Sequence, residues 1–113
     1  MANNAETNLE KSKAQLEEMG VTVNDALLEK IVKGLGIANQ SLDASLVSAS
    51  DKSEVDRVRT NFLTKKLQQT DDAASDAAIA EVMEKMKEFK QKRRAAVYYL
   101  LTEKFSREDV YMK

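Results

Sequence analysis

Cysteine, histidine, proline and tryptophan are absent from this chain of 113 residues, and glycine occurs only three times. Without cysteine there is no disulfide framework, no thiol nucleophile and no thiolate metal site. Without histidine the commonest general base and the commonest zinc ligand are gone. Proline and glycine interrupt helices, so their scarcity leaves long stretches free to coil. Period-two runs of β-branched and aromatic residues, the mark of strands, are also missing. No apolar run approaches the roughly 20 residues of a membrane span. The opening "MANNAETNLEKSKAQLEE" is too polar for a secretion signal. We therefore expect a soluble, cytoplasmic protein of bacterial style, with no cofactor, no metal and no membrane contact.

What remains is rich in Ala, Leu, Glu and Lys, all strong helix formers. The pattern predicts an all-α chain. Residues 1–113 form one domain, with four to five helices in a compact bundle around one core and residues 1–8 frayed. The net charge of −1 conceals an imbalance: residues 1–54 carry −4 and residues 55–113 carry +3. The halves could attract each other on folding, or the basic half could meet an anionic partner.

Helices are expected over about 5–19, ending at Gly20, and from the Asn24 cap through "NDALLEKIVKGLG" to Gly36. Residues 37–50 form an ordered connection with a short turn from Asp43, pinned by Ile37, Leu42, Leu46 and Val47. Asp51 and Glu54 have capping-box spacing ahead of a helix that runs to Leu67. Val55, Val58, Phe62, Leu63 and Leu67 mark its buried face, yet Arg59 and Lys66 fall within the same arc. A further helix starts near Asp72 or Ser75, carrying Ile79, Val82, Met83, Met86 and Phe89. Nothing between Ile79 and Phe105 forces a break. One long helix, however, would put Lys90, Arg93 and Arg94 into an apolar seam, so two helices parted at about residues 89–93 are favoured. "SRED" (106–109) could cap a last turn with Val110 and Tyr111. Leu28, Ile31, Val58, Phe62, Val82, Val97, Leu101 and Phe105 are expected to be buried.

The stretches "LLEKIVKGLG", "DASLVSASDKSEVDRVRTNFLTKKL" and "RRAAVYYLLTEKFSREDVY", over most of residues 27–111, resemble a small bacterial family known only as a domain of unknown function. The resemblance implies a compact helical domain and no assigned activity. Family members carry a Gly- and Asn-bearing turn before the "YYLL" helix, where this chain has "KEFKQKRR".

Three groups of residues are candidates for function. Lys85, Lys87, Lys90, Lys92, Arg93 and Arg94 could contact an anion or nucleic acid through phosphates, although Phe89 is the one aromatic among them. Their plainer role is a solvated helix end. Tyr98 and Tyr99 are adjacent, so they point about 100° apart on a helix. Val97, Leu100, Leu101 and Phe105 share one side, whereas Tyr99 falls near Ala95 on the other. Either that helix is covered on both sides, or Tyr99 and Ala95 face a partner, a second copy or another protein. Arg59 is expected to tie the 37–50 connection to the core by bonding a carboxylate or carbonyls there, unless it snorkels. Asp71, Asp72 and Asp76 suit helix capping better than cation binding. No nucleophile–base, Walker, dinucleotide or zinc pattern occurs. The expected role is a non-enzymatic interaction or accessory module, possible as a homodimer, with weak nucleic-acid or anion binding as the alternative.

Overall fold

The computed structural model describes residues 4–35, 46–47, 52–89 and 92–112. In chain order they form α1 (Asn4–Glu18), α2 (Asp25–Leu35), β1 (Leu46–Val47), α3 (Lys52–Arg57), a π-helix (Val58–Thr64), α4 (Asp72–Lys85), β2 (Lys92–Arg93), α5 (Arg94–Lys104) and α6 (Asp109–Met112). The fold is all-α around one core. The 37–50 connection lies outside the described residues, apart from the backbone of Leu46 and Val47; Asp51 of the capping pair lies outside them as well.

Local chemistry sets the helix ends. Gly20 sits at φ +82°; its N–H bonds Glu17 O and that of Val21 bonds Leu16 O, each at 3.0 Å. This pair of bonds closes α1 in a Schellman turn, which asks for a left-handed residue at Gly20. Asn24 caps α2 by accepting from Leu27 N at 3.2 Å, and Asp71 caps α4 by accepting from Ala74 N at 3.1 Å. The same Schellman pair ends α5, with Ser106 at φ 54° in the place a glycine would take more cheaply; Ser106 N bonds Glu103 O and Arg107 N bonds Thr102 O.

The π-helix answers the question raised by Arg59 and Lys66. At about 100° per residue both would sit inside the apolar arc. A wider turn, bonded from residue i to i+5, regroups the positions. Lys65 N reaches Thr60 O at 3.3 Å, and Leu67 N reaches Phe62 O at 2.9 Å. Val58 and Leu63, and Phe62 and Leu67, are each five residues apart, and all four are buried. Lys66 is left exposed and Arg59 half-buried.

α4 ends at Lys85 and α5 begins at Arg94, so the basic stretch interrupts the helix as expected. In the break, β2 pairs antiparallel with β1, Leu46 opposite Arg93 and Val47 opposite Lys92. No strand was expected. A bridge of two residues per strand carries no readable period, and its halves lie far apart in sequence. Gln15 Oε1 accepts from Arg93 N at 3.1 Å, so an α1 side chain holds the backbone of β2.

α5 packs against α1, α2 and α4. Ala95, Ala96, Val97, Tyr99, Leu101 and Thr102 are consequently all buried, on every side of the helix. Leu28, Ile31, Val58, Phe62, Val82, Val97 and Leu101 are core residues as expected, but Phe105 is only half-buried. It forms the C-cap of α5, where the helix leaves the layer of neighbours that covers it.

If the π turn sets the register, Leu67→Ala should cost about 2–5 kcal/mol, as a buried leucine does. Lys66→Ala should change stability by less than about 1 kcal/mol. Urea denaturation of the two variants measures both; equal losses would contradict the register.

Candidate functional site

The basic run does not form one cationic face. Lys85 pairs with Glu81 at 3.6 Å and Lys87 with Glu84 at 2.9 Å. Lys92 Nζ donates to Phe89 O at 3.1 Å. Arg94 turns inward onto Glu54, and the two side chains are only 12% and 14% exposed; it also donates to Tyr98 Oη at 3.3 Å. The Tyr98 ring in turn stacks on Phe62, 3.8 Å between centroids and 9° from parallel. Arg93 is 7% exposed, and burial pushes its guanidinium below the ordinary value. Lys90 lies outside the described residues. The expected six-cation contact surface is corrected accordingly: two of its members, Arg93 and Arg94, are drawn inward because β2 and α5 pack against α1 and Arg94 pairs with Glu54 of α3.

Tyr99 and Ala95 are not a partner face either, since both are fully buried. The physical reason is that α1 and α2 cover the side of α5 opposite α4. The Tyr99 hydroxyl accepts from Asn24 N at 2.8 Å and faces Thr22 O at 3.4 Å. Burial pushes this phenol up, against the opposing effect of the Asn24 N–H. Burial pushes the Glu103 carboxyl up, against the opposing effect of the Tyr99 hydroxyl, and the Glu108 carboxylate adds to the rise.

Arg59 makes a tie to a carboxylate, Asp76. Its Nη1 lies 3.0 and 3.1 Å from the two carboxylate oxygens of Asp76, with Asp56 at 3.5 Å. The link joins the π-helix to α4; the expected tie to the 37–50 connection falls outside the described residues. Asp76 thus pairs with Arg59 while Asp71 caps α4. Among the described residues no group of three acidic side chains could hold a metal ion.

One groove opens beside α5, with a volume of about 310 Å³, lined by Val21, Glu81, Val82, Lys85, Leu100, Glu103 and Lys104. Val21, Val82 and Leu100 supply its apolar walls. The charged rim is cross-linked, because Glu81 receives both Lys104 and Lys85. Lys104 holds the Glu81 carboxyl below its usual range. The groove has no nucleophile–base pair, and its chemistry suits an apolar side chain flanked by charge. Sequence reasoning missed it, since its members come from α4, α5 and the α1–α2 turn. The available signal was Leu100, apolar yet on the edge of the buried arc.

Two predictions follow from these groups. Glu54→Met should strand Arg94 and cost about 3 kcal/mol, whereas Glu54→Met combined with Arg94→Met should recover most of that loss. A double-mutant cycle in urea reads the coupling. Glu103 is raised in the fold, so the native state binds its proton more tightly than the unfolded chain does. Its contribution to stability therefore falls as pH rises from the ordinary 4.5 through its folded value. Glu103→Gln should be more stable than wild type at pH 7, and this gain should vanish at pH 4. Denaturation curves at the two pH values provide the check.

A family model described as "Protein of unknown function (DUF2853)" matches residues 11–109, from the second turn of α1 to the start of α6. No curated protein matches the chain.

Proposed function

Since the chain belongs to the DUF2853 family, whose description assigns no activity, we propose that it is a non-enzymatic interaction module that receives an apolar side chain of a partner protein in the α4–α5 groove. The observation that carries this reading is the groove itself: Val21, Val82 and Leu100 enclosed by a rim of Glu81, Lys85, Glu103 and Lys104. Its volume of about 310 Å³ lies at the lower end of the range for ligand pockets and is large enough for a single bulky side chain. Partner sites commonly combine an apolar centre with a polar rim. The rim has two cations and two anions, which favours a partner segment of mixed charge over a polyanion. Support for a dimer through Tyr99 is gone with that residue inside. Nucleic-acid binding through residues 85–94 loses the two arginines best suited to phosphate.

A photo-crosslinking residue placed at position 85 tests this in the native cell, with position 33 on exposed α2 surface as control. A discrete protein adduct from position 85, absent from position 33 and lost on Leu100→Glu in a variant with wild-type circular dichroism, is the expected result. Adducts to nucleic acid, or equal adducts from both positions, would overturn the reading.

A further inference from the structure

The groove beside α5 has two carboxylates on its rim, and their surroundings differ. Glu81, on α4, receives both rim lysines, Lys104 and, at 3.6 Å, Lys85. Those cations hold its carboxyl below the usual range and answer its charge where it arises. Glu103, on the last turn of α5, keeps other company. Its carboxyl faces the Tyr99 hydroxyl, a neutral donor, and the Glu108 carboxylate, a like charge. Among the described residues, Glu108 Oε1 is sealed from water without a hydrogen-bond partner, so solvent screens this second negative charge poorly.

Position couples this charge to the apolar wall. Leu100 and Glu103 both line the groove, and Glu103 is exposed. They are one helical turn apart, so they stand one above the other on the same face of α5. Neighbouring side chains of a single bound segment can therefore meet both. A cation set on Glu103 would relieve its repulsion from Glu108 and would displace no ion pair of the rim. An anion entering from the other side would have to draw Lys85 or Lys104 away from Glu81. The groove thus favours a positive charge at its Glu103 edge.

We infer that the protein segment received by the groove carries a lysine or arginine next to its apolar side chain, and that Glu103 takes that cation. The inference rests on the groove being a partner site and adds the chemistry that selects the partner. Contact with Val21, Val82 and Leu100 discriminates by size and apolarity alone, whereas Glu103 reads the sign of the neighbouring charge. A pair of this kind rejects an acidic segment of the same shape, so it contributes specificity more than affinity.

Three fragments with the same apolar tail and different heads test the preference: isopentylammonium, isopentanol and isovalerate. Each is titrated into the full chain at pH 7 and constant ionic strength while the amide resonances of Val21, Val82 and Leu100 are followed. The expected result is saturable shifts at those amides, with the ammonium bound about fivefold tighter than the alcohol, near the upper end for an exposed ion pair, and the carboxylate weakest. Glu103→Gln should bring the ammonium and the alcohol to equal affinity and leave the alcohol itself unchanged. An ammonium no tighter than the alcohol, or a preference that survives Glu103→Gln, would overturn the role of Glu103; saturable binding of the alcohol in either case leaves the groove standing as a partner site. No saturable shift from any of the three fragments would remove the groove reading, and this inference with it.

Discussion

A phenol enclosed in an all-helical core needs polar company, and Tyr99 obtains it from the backbone. Asn24 N donates to its hydroxyl at 2.8 Å, at the residue whose side chain caps α2. The start of α2, the turn that leads to it and the middle of α5 are thereby fixed relative to one another. Tyr98, about a quarter-turn away, addresses a different neighbour by stacking on Phe62 of the π-helix. Two adjacent rings thus orient two separate layers. α5 has no solvated stripe of ordinary width, because each side of it serves as a wall for another element.

Much of the architecture could be read from residue type and spacing. Asn24 and Gly20 mark real boundaries of α2 and α1, and the cost of cations in an apolar seam located the break before α5. Those inferences rest on local chemistry, which sequence displays. The π-helix was visible only as a contradiction: two charges in an arc that otherwise read as buried. A regular 3.6-residue wheel cannot represent a wider turn, so the contradiction could be noticed but not resolved. The β1–β2 bridge and the groove left no local trace, since each is created by residues that meet only after packing. For Arg59, the demand for a carboxylate was legible, but the identity of Asp76 was not, because α4 meets the π-helix only on packing.

Charge works within parts of the chain more than between its halves. The negative first half and positive second half suggested mutual attraction. Among the described residues, however, the links from one half to the other run through Glu54, next to the dividing point, to Arg57 and Arg94. Arg59–Asp76 and Lys104–Glu81 join elements inside the second half, and Lys13–Asp25 stays inside the first. Several of these pairs are exposed and contribute little to stability. What joins the halves is apolar burial around α5, together with the uncharged bonds from Gln15 to Arg93 and from Asn24 to Tyr99.

Those two bonds also bear on how the chain reaches its native state. They span 78 and 75 residues, an unusually long reach for helices that could otherwise form from local contacts. During synthesis at about 5–20 residues per second, α1 and α2 would wait roughly 4–15 s for α5 to emerge. Over that interval Leu16, Leu27, Leu28 and Ile31, all fully buried at the end, would lack their native cover. Assembly of this small bundle is consequently governed by non-local closure, which slows folding relative to bundles of sequential hairpins. It also exposes the nascent N-terminal half to chaperones and to self-association until its final covering helix arrives.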